Sequence, residues 1–303
     1  MSELYKHIGK HKDVPAGDIG VGAREIGYLF GQYKKLTGEF EGVLTGKGLN
    51  WGGSKARKQA TGYGSVYFAE NFLAKYGKNL KGKKCAVSGS GNVAIYTIEK
   101  LYEMGAIPIS CSDSRGTIYQ KEGIDLKALK VIKEIHHQSL EVYATVDCQC
   151  EYIPVSKYPE NGHAVWHLEA DVAFPSATQN ELTLVDAKAL KANGCILVNE
   201  GANMPTTPEA YEFIKESGIL FSPGKAANAG GVATSQLEMS QNASMAQWSF
   251  EEVDIKLRTI MNNIFKTAYD TSVEFGCEGD LVTGANIAGF RKVADSMIDQ
   301  GAV

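Results

Sequence analysis

The chain has 303 residues, which at ~150 residues per domain suggests two domains. With 44% hydrophobic and 22% charged residues it is composed like a globular protein, which excludes an intrinsically disordered chain. A net charge of −4 gives no electrostatic ground for a nucleic-acid or membrane-surface partner. No apolar run approaches the ~18 residues of a membrane span, and Met1 to His7 lacks the basic-then-apolar pattern of a secretory signal. Glycine is abundant at 33 residues against 8 prolines, a balance that suits tight turns and close backbone approaches. The six cysteines are Cys85, Cys111, Cys148, Cys150, Cys195 and Cys277. Cys148 and Cys150 are poorly spaced for a metal, with no CxxC or His pair nearby, so reduced thiols in a cytoplasmic protein and no metal site are expected.

In chain order, Leu4 and Ile8 predict a short first helix, broken by the loop Val14 to Gly20. Ile26, Leu29, Phe30 and Tyr33 predict a second helix. Residues 46–64 hold six glycines, so several loops should converge there. Tyr67, Phe68, Phe72 and Leu73 form the next helical stripe, stopped by Gly77. From Lys83 strands alternate with helices. Strands are expected at Cys85–Ser88, Ala106–Cys111, Ala170–Phe174, Cys195–Val198 and Ile219–Phe221. Helices are expected at Gly91–Met104, through Leu126 to Ile135, near 183–193 and at 208–217. This alternation predicts an α/β fold with a doubly wound parallel sheet. After Gly224 only helices are expected, at 228–247, 249–275 and 285–299.

Val87-Ser88-Gly89-Ser90-Gly91-Asn92-Val93-Ala94 follows a predicted strand and opens a predicted helix, matching the dinucleotide fingerprint G-x-G-x-x-A. Gly89 permits the tight turn, Gly91 lets the backbone approach a pyrophosphate at the positive helix end, and Ala94 permits close packing. Asp113 lies 24 residues past Gly89, where an acid usually accepts the ribose 2′-hydroxyl of NAD. Arg115 could instead pair with the 2′-phosphate of NADP, or be a solvated turn residue. Asp18, flanked by glycines, has the chemistry of a general acid/base, although a turn-forming Asp bonding its own backbone is the commoner use. Thr61 could cap a helix or bond a ligand amide. Asn228 to Ser235 opens a helix with small side chains that allow either backbone contact with a ligand or close packing. His136 and His137 read as a solvated face of a lysine-rich helix.

Together these segments resemble the small hexameric class of glutamate dehydrogenase, within the family of glutamate, leucine, phenylalanine and valine dehydrogenases. The carrying pieces are Asp13 to Lys35 (DVPAGDIGVGAREIGYLFGQYKK), Lys58 to Gly64 (KQATGYG), Ser88 to Ala94, Thr178 to Glu181, Asn199 to Thr206, and Asn228 to Met239. The resemblance implies that Asp18 is the catalytic aspartate that exchanges protons with the substrate nitrogen. It implies that Thr61 bonds the nicotinamide carboxamide, and that Gly89, Ser90, Gly91, Asn92 and Val93 form the pyrophosphate loop. Gln179, Asn203 and Asn228 would line the nicotinamide side. Ser235 and Val232 would contact substrate, Ser235 at the distal carboxylate, which favours glutamate over branched or aromatic amino acids. Ser112, Asp113 and Ser114 resemble the NADP-using members, so NADP is expected, with NAD possible.

Two departures stand out. Ser176 replaces a common family cysteine, a small and structural change. The match also begins inside the family's first domain, and no G-G-x-K-G-G segment bearing the catalytic lysine occurs. Gly52-Gly53-Ser54-Lys55 is a superficial echo to which that role is not transferred. The expected organisation is a remnant of the substrate domain at 1–52, a dinucleotide-binding domain at 53–230, and C-terminal helices at 231–303 that pack back onto the substrate domain. The expected activity is reversible NADP-dependent oxidative deamination of L-glutamate to 2-oxoglutarate and ammonium by a homo-oligomer, a hexamer in the full-length family. The alternative is a catalytically incompetent nucleotide-binding fragment or accessory subunit.

Overall fold

The structure, a computed structural model, describes residues 1–18, 20–146 and 149–301; Ile19 of the first loop and the Cys148 thiol lie outside the described residues. In chain order the elements are α1 (Ala23–Thr37), α2 (Ala60–Lys75), β1 (Lys84–Val87), α3 (Asn92–Glu103), β2 (Ile107–Pro108), β3 (Ser110–Asp113), β4 (Gly116–Tyr119), α4 (Leu126–Lys130), α5 (Leu140–Val146), β5 (Glu151–Pro154), β6 (Val172–Phe174), α6 (Leu184–Ala192), β7 (Leu197–Asn199), α7 (Pro208–Ser217), β8 (Leu220–Ser222), α8 (Gly224–Ala227), α9 (Gly230–Ser244), α10 (Phe250–Glu274) and α11 (Leu281–Gln300). Two compact units result: Met1–Ala60 with Gly230–Ile260, and Thr61–Ala229 with Met261–Val303.

In the first unit the helix expected through Leu4 and Ile8 is only one 3-10 turn, Leu4–Lys6. So short a segment gains too few backbone bonds to offset nucleation, and Ile8 is buried instead by a bridge to Asp13. Helix α1 buries Ile26, Phe30 and Tyr33 against Ile8, Val43 and Leu44. Phe30 stacks on Trp51 at 5.2 Å between ring centroids. Gly38 ends α1 with φ +74°, a conformation that other residues adopt only with strain.

The second unit is built on a five-stranded, wholly parallel sheet in the order β2-β1-β6-β7-β8. Its strands are short apolar runs, as expected of strands covered on both faces. Ala86, Ala173 and Val198 pack with Trp166, Leu190 and Ile214 into one buried cluster. The order runs one way from β1 to β2 and the other way from β6 onward, so a crevice opens at the carboxyl ends of β1 and β6. Open α/β sheets bind ligands at such a reversal.

The strand expected over Ala106–Cys111 is two strands. β2 ends at Pro108, on the edge of the sheet, where a missing N–H is tolerated; Ile107 N–H and Ile109 N–H on either side donate to Lys83 O at 2.8 Å and Cys85 O at 2.9 Å. The chain then leaves the parallel sheet, and β3 pairs antiparallel with β4, which pairs with β5. Where the backbones part, the Ser110 hydroxyl accepts Val87 N–H at 3.0 Å and donates to its carbonyl at 3.1 Å. The helix expected through Leu126 to Ile135 keeps α geometry only to Lys130, and a π turn covers Val131–Ile135. His137 then takes φ +52°, so the His136–His137 pair lies beyond the helix and not on a face of it.

Helices α2 and α3 touch backbone to backbone. A Cβ on Gly62 would lie 2.5 Å from Thr97 N and 2.7 Å from Val93 O. Phe68 and Phe72 of α2 meet Phe265 of α10 at 5.5 and 5.7 Å. The last helix begins at Leu281, four residues earlier than expected, because the Asp280 side chain accepts Thr283 N–H and caps it.

Candidate active site

In the second unit β1 runs directly into the loop Ser88–Gly91 and then α3. Gly89 has φ +82°, and a Cβ there would meet Ser176 O at 2.8 Å, so only glycine fits this turn. Ser112 holds the loop from the neighbouring strand, with Gly89 N–H donating to its hydroxyl at 2.9 Å and its own N–H donating to Gly89 O at 3.1 Å. Ser88 is buried, and its hydroxyl accepts Ser176 N–H at 2.8 Å. The Ser176 hydroxyl donates to Phe174 O at 3.1 Å, a local structural use.

Gly91 is the N-cap of α3, with no side-chain cap, and a Cβ there would point into open space. The first-turn N–H groups of Asn92 and Val93 are thus uncapped at the positive end of a helix, beside the half-buried Ser90. This arrangement fits a pyrophosphate. The loop after β7 closes against it: Gly201 N–H and Ala202 N–H both donate to Pro175 O, and a Cβ on Gly201 would clash with Ser176 Oγ at 2.6 Å. Asn228 donates to Asn203 Oδ1 at 2.7 Å, bringing those two expected nicotinamide-side residues together. Gln179 is exposed in the loop after β6. Thr61 is the second residue of α2, inside the helix, so it is not the cap.

Asp113 and Arg115 sit at the tight β3–β4 turn. The Asp113 carboxylate is engaged within the unit, accepting Leu140 N–H at 2.8 Å, Arg115 N–H at 3.0 Å and Lys133 Nζ at 3.4 Å. Ser114 and Arg115 are exposed. An inward-turned acid beside an exposed guanidinium suits a 2′-phosphate better than a free 2′-hydroxyl.

Local sequence did not single out Glu181 or Glu200, although both lie within the quoted motifs. Glu181 accepts Ala177 N–H at 2.9 Å and Thr178 N–H at 3.3 Å. Burial pushes its carboxyl up to about 7, against the lowering effect of those N–H groups. Glu200 accepts Gly224 N–H at 2.6 Å, and burial raises its carboxyl as well.

In the first unit Ser235, on α9, is buried, and its hydroxyl receives Thr45 Oγ1–H at 3.1 Å and Arg57 Nε–H at 3.1 Å. Burial lowers the Arg57 guanidinium, and the nearby Glu238 charge opposes that. Thr45 and Arg57 had no motif to mark them. Val232, one helical turn before Ser235, is 76% exposed. Asp18 is exposed in the loop before α1, and its carbonyl accepts Val21 N–H at 2.8 Å. Among the described residues no cluster of His, Cys, Asp and Glu could hold a metal ion, and no helix is long and apolar enough to cross a membrane.

The reversed sheet order, the uncapped helix and the glycine turn define the second unit as a Rossmann-type dinucleotide-binding fold. The sequence matches the profile of Glutamate/Leucine/Phenylalanine/Valine dehydrogenase over residues 52–301, and the dimerisation domain of the same family over residues 1–35. The chain belongs to the Glu/Leu/Phe/Val dehydrogenase family. It is 60% identical over 301 residues to the NADP-specific glutamate dehydrogenase of Helicobacter pylori, covering 99% of this chain and 67% of that protein. It is 50% identical to the NADP-specific glutamate dehydrogenase of Escherichia coli, covering all of this chain and 66% of that protein. The crystal structure of Plasmodium falciparum glutamate dehydrogenase superposes with a TM-score of 0.95 at 47% identity, covering all of this chain and 64% of that one. The chain thus spans about two thirds of the length of these relatives.

Proposed function

We propose that this chain belongs to an enzyme of reversible, NADP-dependent oxidative deamination of L-glutamate to 2-oxoglutarate and ammonium. The observation that carries the substrate is the Ser235 hydroxyl, backed by Thr45 and by the Arg57 guanidinium in a buried setting. A hydroxyl with a cation behind it suits a carboxylate at the far end of the substrate. The high identity to proteins named NADP-specific glutamate dehydrogenases supports the same assignment over a separate nucleotide-binding accessory.

In this scheme the first unit carries residues for the substrate, and the second carries residues for the cofactor. Bound NADP supplies hydride transfer to and from the substrate α-carbon. Gly89, Ser90, Gly91, Asn92 and Val93 hold its pyrophosphate at the start of α3. Ser114 and Arg115 take the 2′-phosphate, with Asp113 fixing their turn from within. Thr61, Gln179, Asn203 and Asn228 orient the nicotinamide. Asp18 gives and takes protons at the substrate nitrogen. Ser235, Thr45 and Arg57 hold the distal carboxylate, with Val232 beside them.

The match of residues 1–35 to a dimerisation domain supports a homo-oligomer, and the family resemblance extends this to a hexamer. The five described cysteines are all free thiols, which supports a cytoplasmic setting. The test is loss of the NADPH absorbance band when 2-oxoglutarate and ammonium are supplied together. Turnover of a branched-chain keto acid at an equal or greater rate would overturn the glutamate assignment.

A further inference from the structure

Beneath Ser235 lies an ion pair that the scheme above does not use. The Lys47 ammonium is 2.7 Å from Glu238 Oε1, and the two side chains are 1% and 0% exposed. Glu238 also accepts Gly46 N–H at 3.0 Å through Oε2 and Lys47 N–H at 3.3 Å through Oε1. The Lys47 ammonium donates in turn to Leu44 O. One carboxylate and its counter-ion therefore clamp the turn Leu44–Lys47 from both sides. That turn is strained at Leu44, a non-glycine residue with φ +62°, while Gly46 takes φ +82° freely. Such backbone persists only where its surroundings over-determine it.

The clamped turn carries Thr45, which reaches in two directions. Its hydroxyl donates to Ser235 Oγ at 3.1 Å, and its backbone N–H donates to Pro15 O at 3.0 Å, on the loop that bears Asp18. Glu238 stands one helical turn beyond Ser235 on α9, so the same rigid helix presents both. A buried ion pair of this kind often contributes little to stability compared with apolar residues of the same volume. Its geometry, by contrast, sets where Thr45 sits.

We propose that Glu238, paired with Lys47, is a positioning residue: through Thr45 it holds Ser235 and the Asp18 loop in register for a substrate with a distal carboxylate. This rests on the glutamate assignment above. Glu238 itself touches neither substrate nor cofactor in this scheme. It sets KM for the dicarboxylic acid by fixing the Thr45 hydroxyl.

The test is steady-state kinetics of Glu238→Gln in the purified protein, with 2-oxoglutarate and with 2-oxopentanoate, which has the same chain length but no distal carboxylate. KM for 2-oxoglutarate rises about tenfold, KM for 2-oxopentanoate does not, and the Kd for NADPH is unchanged. A Thr45→Ala variant shows the same split, and adding Glu238→Gln to it raises KM no further, because the two act through one group. Where the single charge change fails to fold, Glu238→Gln with Lys47→Met keeps the buried site neutral and replaces it in the same assay. A uniform loss of turnover with both KM values unchanged would mean a merely structural pair and overturn the proposal alone. A wild-type protein that does not distinguish the two keto acids would overturn the glutamate assignment, and the proposal with it.

Discussion

Ser112 grips Gly89 at both ends of its backbone: the Gly89 N–H donates to the Ser112 hydroxyl at 2.9 Å, and the Ser112 N–H donates to the Gly89 carbonyl at 3.1 Å. The glycine loop is therefore held from β3 as well as by its own turn, before any cofactor arrives. Ser112→Ala leaves the buried Gly89 N–H without its partner, a loss of about 1–3 kcal/mol. The expected result is weaker NADPH binding together with a lower melting temperature, read by fluorescence titration and by calorimetry.

Arg115 is the exposed cation at the β3–β4 turn. Arg115→Ala should weaken NADPH roughly tenfold while NADH changes little, since only the former carries the 2′-phosphate that a guanidinium recognises. Paired titrations with the two cofactors measure the ratio. An equal change in both would remove Arg115 from cofactor choice.

Asp18→Asn keeps the volume of the side chain and removes its proton transfer. A positioned acid/base contributes about 10²- to 10⁴-fold, so kcat should fall by that order with NADPH affinity unchanged. Stopped-flow turnover and equilibrium titration on the same sample separate the two effects.

At Gly62 the α2 and α3 backbones leave no room for a methyl group, because the clashing atoms, Thr97 N and Val93 O, are backbone and cannot rotate away. Gly62→Ala should destabilise by about 1–3 kcal/mol or more through forced backbone shifts. Denaturant unfolding gives the value; a neutral outcome would mean that the helices part freely.

Glu181 predicts a pH dependence. Its carboxyl is raised from 4.5 to about 7 on folding, chiefly by burial, so the folded state binds its proton more tightly than the unfolded state. That contribution is fully present below pH 4.5 and is lost as pH rises through about 7. Glu181→Gln removes the penalty of ionisation. The melting temperature of the variant relative to wild type should therefore climb between these pH values and level off above them. His163, lowered to about 4 by burial, works in the opposite sense, adding stability as pH rises toward its unfolded value of 6.5, so only the difference between variant and wild type isolates Glu181.

The parallel sheet was legible because its strands are short apolar runs between turns; Cys85–Ser88 lies one residue later than the observed β1, Lys84–Val87, and Ala170–Phe174 contains β6, Val172–Phe174. The antiparallel sheet was not. Gly116–Tyr119 and Glu151–Pro154 are four-residue strands too short to show a clear alternating period, and β5 pairs with β4 from across residues 120–150 and not through a hairpin turn. The fingerprint announced itself through its glycines. Arg57, Thr45 and Lys47 did not, because their significance lies in contacts with Ser235 and Glu238, 178 to 191 residues away in sequence. No local spacing encodes such a meeting.

The thiols of the second unit offer a last consequence. Cys85 lies on β1, Cys111 on β3 and Cys195 just before β7, all buried, and burial raises each thiol well above its ordinary value. Folded, they are both shielded and protonated, so an alkylating reagent finds no nucleophile there. Each becomes reactive only when its own strand opens. Three built-in clocks thus sit at different places in the sheets, and the rate at which each is alkylated under native conditions times the local opening of that strand.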